Sequence, residues 1–202
     1  VMVFGMNKIL LFFSSTAAAV FGVYFKLQSF IFMPIFGLNN GIIPIIAYNY
    51  GARNKKRILS TMKLSVVISV SIMCIGMLLF QVFPAQLLGF FDASDHMLEI
   101  GVPALQIISL CFIPAGYSII AGSVFQALGN GMYSLIISVA RQLLVILPIA
   151  YFFAMVFGLH MVWWALPIAE IVSFIMSVLL FGRIKRLRIT PLEESESITV
   201  QD

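Results

Sequence analysis

At 202 residues, with 61% hydrophobic and only 10% charged side chains, the chain lies far outside the composition of soluble domains. Its mean hydropathy of +1.08 makes it an integral membrane protein. The net charge of +4 is gathered at the ends of apolar runs. No basic face with interleaved aromatics is present, which excludes a nucleic-acid surface. Cys74 and Cys111 fall deep in apolar runs and are expected to pack rather than form a disulfide.

Val1 to Phe13 is apolar but shorter than the about 20 residues that a span requires. Lys8 lies within the run rather than ahead of it, which is not the layout of a signal peptide. This stretch reads as the end of a helix begun upstream, and the chain as a fragment. Ser14-Ser15-Thr16 is expected to turn. The segment from Ala17 to Tyr50 would then be about 50 Å long against a hydrocarbon core of about 30 Å. Tilt, kinking or protrusion must absorb the excess.

Two prolines stand inside this segment, Pro34 and Pro44. Each removes a backbone donor, at roughly 3 kcal/mol in an ordinary helix interior, and both are hinge candidates. Such prolines persist in a membrane where neighbouring helices or a water-filled cavity satisfy the freed carbonyls. Gly37 and Gly41 form a GxxxG around Asn39 and Asn40. That pattern suits close helix packing with amide contacts. It equally suits a kinked, polar-lined helix beside a substrate path.

Gly51 to Arg57 is a basic turn, and a third span is expected from about Leu64 to Phe83, before Pro84. Its polar residues are Ser65, Ser69, Ser71 and Gln81, so it reads as a packing or lipid-facing helix. Asp92, Asp95, His96 and Glu99 suggest an acidic loop. The next span, roughly Ile100 to Leu128, holds Pro103, Pro114 and the small residues Ser118 and Gly122. Gly129-Asn130-Gly131 marks a tight turn. A fifth segment covers Met132 to Phe157 and contains Arg141, Gln142 and Pro148. The last span runs from about Met161 to Gly182 and opens with Trp163 and Trp164, which suit a membrane interface. Residues 183–202 begin RIKRLR, turn acidic, and are expected to be disordered. The expected fold is a polytopic all-α bundle over residues 1–182, with five full transmembrane helices and a truncated sixth.

Orientation follows from the basic clusters. Arg53, Lys55, Lys56, Arg57 and Lys63 crowd one turn, and Arg183, Lys185, Arg186 and Arg188 crowd the end of the last span. Counting spans puts both on one side and the acidic loop on the other. The positive-inside rule makes loop 51–57 and the C-terminus cytoplasmic.

Three ionisable residues fall within expected spans: Lys26, Arg141 and Glu170. Each costs about 2.5–3.5 kcal/mol at a helix centre, so each should face protein or water. Glu170 either neutralises Arg141 or Lys26 and pins two helices, or faces a cavity that binds a cation, proton or cationic drug. A snorkelling position is the third reading. The amides Gln28, Asn39, Asn40, Asn49, Gln126 and Gln142 either line a path or join helices, such bonds averaging about 0.6 kcal/mol. Gln28 and Asn39 stand near a whole number of turns apart and are expected to share a face. His96 and His160 lack metal-ligand spacing. No nucleophile elbow, phosphate loop or paired intramembrane carboxylates occur, so the sequence points to neither an enzyme nor an ATP-driven pump.

The run P-x-x-G-L-x-x-G-x-x-P-x-x-x-Y-N-Y-G-A-x-x-x-x-R, from Pro34 to Arg57, resembles the second helix of the C-terminal lobe in multidrug and toxic compound extrusion (MATE) transporters. FQALGNG, SLIISVARQ, LPI and VWWALPIAE are similar to that lobe's later helices, in the same order. The resemblance implies one of two pseudo-symmetric six-helix lobes, the N-terminal lobe of the same polypeptide being the missing partner. It further implies Na⁺- or H⁺-coupled export of lipophilic, often cationic, drug-like compounds by rocking of the lobes within membrane lipid. No cofactor or metal beyond the coupling ion is implied. Some relatives carry an acidic cation site in this lobe's fourth helix, yet Ile100 to Leu128 contains no Asp or Glu. Two alternatives stand beside this reading. A lipid-linked precursor flippase of related fold would want a wide basic cavity, for which Lys26 and Arg141 are few. A non-transporting membrane scaffold subunit is the other.

Overall fold

The computed structural model describes residues 2–192, and every regular element among them is helical. Helix α1 (Met2–Phe13) is separated from α2 (Ser15–Gly51) by Ser14 alone. Ser14 is extended, and its hydroxyl accepts from the Ala17 amide at 3.0 Å, an N-cap that satisfies one orphan donor. The turn expected over three residues is thus one capping residue. Helix α2 continues through Pro34 and Pro44 as a single element of 37 residues. At the α-helical rise it is about 55 Å long.

Helix α3 (Lys55–Val82) starts well before Leu64, because Asn54 accepts from the Arg57 amide at 3.0 Å and caps it. Lys55, Lys56, Arg57 and Lys63 therefore ride on helix rather than on a turn. A short α4 (Pro84–Gly89) opens with Pro84, whose missing amide costs nothing at a helix start. Ser94 then caps α5 (Asp95–Ser109) by accepting from the Met97 amide. Asp95, His96 and Glu99 accordingly belong to the first turns of a helix, and only Asp92 lies in the connection. Asp95 also suits the positive end of the helix dipole.

The expected Ile100–Leu128 span is two helices, α5 and α6 (Phe112–Ala127), bent by 48°. Pro114 explains the bend: it gives no amide to the Leu110 carbonyl, and its ring crowds that carbonyl. The chain next forms α7 (Gly131–Val139), a π-helical stretch Ala140–Ile146, and α8 (Leu147–Phe157). Pro148 withholds an amide from the preceding turn, and the backbone before it winds wider. Gly158, at φ +81°, allows the reversal into α9 (Leu159–Val162) and α10 (Ala165–Ile184). A π-helical stretch Lys185–Ile189 prolongs α10. The basic RIKRLR run is therefore helical, which moves the boundary drawn at residue 182. The rest of the expected tail, residues 193–202, lies outside the described residues.

Among the described residues, the helices long and apolar enough to cross a membrane are Ser15–Gly51, Lys55–Val82, Gly131–Phe157 and Leu159–Ile189, with the bent α5–α6 pair as a fifth span. The chain is a multi-pass membrane protein. One apolar core, built on Phe21, Tyr24, Phe80, Phe112 and Trp163, fills the end of the bundle near Ser14 and Asp95. A second, built on Ile46, Ile58, Phe125, Ile137 and Ile189, fills the end where the basic clusters lie. Trp163 is 1% exposed and packs 6.4 Å from Phe21, so it is a core residue rather than an interface anchor, whereas Trp164 remains exposed.

The helices approach most closely through glycines other than Gly37 and Gly41. A Cβ on Gly116 would stand 3.1 Å from both Met73 Cγ and Ser69 Oγ, and Ser69 donates to the Gly116 carbonyl at 3.0 Å. This contact joins α3 to α6. By contrast, a Cβ on Gly37 or Gly41 would meet nothing within 4 Å. The GxxxG of α2 is open, on an exposed face shared with Lys26, Met33, Pro34, Asn40 and Pro44. The exposed face of α3 differs, being apolar at Leu64, Val67, Ile75, Leu78 and Val82 as lipid requires.

Candidate functional site

Polar side chains gather between the two apolar cores. Arg141, on the π-helical stretch, donates from Nη1 to Glu170 Oε2 at 2.8 Å, joining that segment to α10. Glu170 is 6% exposed, and burial of a lone carboxylate in a bundle is tolerable only with such a partner. Lys26 is not the partner. It is exposed, with its ammonium 5.6 Å from the Phe91 ring centroid.

Two cavities flank the ion pair, and Arg141 lines both. The first, of about 170 Å³, extends toward the basic end and is lined by Asn39, Gln126, Ser134, Ser138, Arg141 and Ser173 among others. Asn39 accepts a hydrogen bond from Ser123, and Ser134 donates to the Gly122 carbonyl at 2.7 Å. The second, of about 80 Å³, lies on the other side of the pair and is lined by Tyr24, Gln28, Cys111, Arg141, Gln142 and Glu170 among others. Two buried acceptors in its lining have no hydrogen-bond partner among the described residues: Gln28 Oε1 and Glu170 Oε1. Buried acceptors normally have a donor, and both of these oxygens lie on the same small cavity. Glu170 is the single carboxylate there, and no group of three His, Cys, Asp or Glu among the described residues converges as a metal cluster would require.

The sequence candidates thus divide. Asn39, Gln126 and Arg141 meet in the larger cavity, and Gln28, Gln142, Arg141 and Glu170 in the smaller. Gln28 and Asn39 both turn to the side of α2 that faces Arg141. Lys26, Asn40, Pro34 and Pro44 line neither cavity. Asn49 bonds its own helix, donating to the Ile45 carbonyl at 2.8 Å. Sequence reasoning missed Tyr24 and the serines of α7 and α10, since tyrosine and serine recur along the chain, and it read Cys111 as a packing residue only. It also left Gln81 as a bland polar residue. Gln81 in fact donates to the Gln106 carbonyl at 2.8 Å and to Ser109 at 2.9 Å, and accepts from Gln106 at 3.2 Å, pinning α3 to α5.

The MatE family model matches residues 2–152. The chain belongs to the MATE family. It is similar to the multidrug export protein MepA of Staphylococcus haemolyticus, 28% identical over 185 residues, which covers 91% of this chain and 40% of that protein. The MepA of Staphylococcus aureus (strain MSSA476) is likewise 28% identical over 176 residues, with 87% of this chain and 38% of that protein covered. Among solved structures, a MOP superfamily transporter from Pyrococcus furiosus superposes with a TM-score of 0.84 at 22% identity, over 95% of this chain and 43% of that one. A MATE in complex with MaL6 gives a TM-score of 0.84 at 22% identity over 96% and 43%. The chain therefore spans about 40% of the length of the relatives it matches.

Proposed function

We propose that the chain is the C-terminal half of a cation-coupled multidrug antiporter of the cell membrane, exporting lipophilic and often cationic compounds. The relatives' role as multidrug export proteins supports the substrate class. Within this lobe the coupling cation, Na⁺ or H⁺, is handled at Glu170. The observation that carries this is the pair of partnerless buried oxygens, Glu170 Oε1 and Gln28 Oε1, on one small cavity. One carboxylate and one amide carbonyl suit a monovalent cation or a proton, and a carboxylate already paired with Arg141 has no net charge left for a divalent ion. A proton or Na⁺ arriving at Glu170 weakens its hold on the guanidinium, so ion binding and the α10 contact are linked. The basic end of the lobe is cytoplasmic by the positive-inside rule. The open face of α2, with its prolines and glycines, borders the cleft between lobes through which substrate passes.

The test is ethidium transport by the intact protein in proteoliposomes under an imposed Na⁺ or H⁺ gradient. Transport should follow one of the two gradients and cease when that gradient is collapsed. Ethidium movement that ignores both gradients would sink the coupling. A protein that moves no drug but translocates a lipid-linked sugar would be the flippase, and one that does neither would be a scaffold.

A further inference from the structure

We infer that the basic end of the lobe carries a binding site for an anionic phospholipid, held between the end of α2 and the end of α10. The two basic clusters, far apart in sequence, meet here. A surface cavity of about 420 Å³ is lined by Tyr50, Arg53, Leu187 and Arg188, among others. A second, of about 560 Å³, adjoins it across Leu187 and includes Val178, Leu179, Gly182, Arg183 and Arg186. Arg53 is fixed at a left-handed φ of 55° in the turn after α2, its amide bonded to the Tyr50 carbonyl at 3.1 Å. Arg188 stands on the π-helical stretch that prolongs α10. Neither Arg53 nor Arg188 has an acidic partner among the described residues.

The order of chemistry along α10 selects the ligand. Val178 and Leu179 are exposed and apolar, Gly182 leaves a notch where a Cβ would meet nothing within 4 Å, and the guanidiniums follow. Acyl chain, glycerol and phosphate come in that same order at a membrane surface. Guanidinium groups match phosphate oxygens with paired donors, and basic residues at a helix end draw anionic lipid. A free phosphate would use the arginines and leave the apolar wall and the notch unused. The site is thus one for a diacyl lipid with an anionic headgroup, and it is independent of the drug and ion chemistry proposed above.

The test uses the intact protein in nanodiscs of mixed phosphatidylglycerol and phosphatidylcholine, with retained lipid counted by native mass spectrometry after detergent extraction. Phosphatidylglycerol should be retained in preference to phosphatidylcholine. Arg53→Gln and Arg188→Gln should each lower that retention by about fivefold. Gly182→Leu, which fills the notch without altering charge, should lower it as well, with thermal stability unchanged in all three variants. Equal retention of the two lipids, or wild-type retention in the arginine double variant, overturns the site. Displacement by millimolar inorganic phosphate also overturns it, since the ligand would then be an anion alone. Retention that emerges only on removing residues 193–202, which include Glu193, Glu194 and Glu196, would give the groove to the chain's own acidic end and likewise overturn it.

Discussion

Arg141 and Glu170 meet at 2.8 Å across the seam between the π-helical stretch and α10, with a polar cavity on each side. One carboxylate oxygen is taken by the guanidinium, and the other has no hydrogen-bond partner among the described residues. The pair is therefore both a structural tie and a chemically incomplete one.

That double character is separable by substitution. Glu170→Gln keeps the shape and removes the charge, leaving Arg141 without its counter-ion. Breaking such a pair costs on the order of 3 kcal/mol, so the variant should lose thermal stability in detergent. Arg141→Gln combined with Glu170→Gln should recover part of that loss. Transport should stay deficient in the double variant, because the partnerless oxygen is no longer carried by a carboxylate. Full recovery of gradient-driven export in the double variant would reduce the pair to a structural tie.

The two kinds of glycine should respond oppositely. Gly116→Val puts a branched side chain against Met73 and Ser69, where a Cβ alone already stands at 3.1 Å. Overpacking of this kind costs about 1–3 kcal/mol, and the α3–α6 contact should weaken, with lower expression and melting temperature. Gly41→Val meets open space. It should fold like the parent protein and reduce drug export if α2 borders the cleft. A Gly41 variant that is as unstable as the Gly116 one would contradict the open placement of the GxxxG.

The prolines divide in the same way. Pro114→Ala restores an amide to the Leu110 carbonyl and should relax the 48° bend between α5 and α6. Pro34→Ala and Pro44→Ala act on an element that is helical throughout. They should preserve insertion and expression while lowering export. Spin-label distances across Leu110 and across Pro34 report the two cases. An unchanged distance across Leu110 in the Pro114 variant would remove the proline as the cause of the bend.

Membrane orientation is checked with single cysteines in an otherwise cysteine-free protein. An impermeant reagent applied from outside should label position 94, in place of Ser94, and spare position 54, in place of Asn54. The reverse pattern would invert the proposed topology.

Composition and run length carried the class of this protein. Long apolar stretches punctuated by Gly, Pro and charge make a helical membrane bundle with few alternatives, since only internally bonded helices or closed barrels span lipid. The order of motifs from Pro34 to Glu170 carried the family, and the basic clusters came together at one end as span counting required. Local caps were readable only in part. Ser14, Asn54 and Ser94 each extended a helix beyond its apolar run, because a cap is set by one side chain and leaves no trace in hydropathy.

The rotation of α2 about its own axis was legible in part, from Gln28 and Asn39, which share the side facing Arg141, but that of α6 and α10 was not. In a soluble protein a continuous polar face would reveal it, but here most positions of α6 and α10 are apolar, whether they meet lipid or a neighbour. Sequence therefore left Arg141 and Lys26 as equal partners for Glu170, and packing chose Arg141, which stands 29 residues away. It left Gly37 and Gly41 open between helix packing and a polar-lined face, and the close packing falls at other glycines, Gly116 among them. The cavities arise where side chains of α2, α6, the π-helical stretch and α10 fail to fill the space between two apolar cores. That is a property of several helices together, so only the tertiary structure decides it.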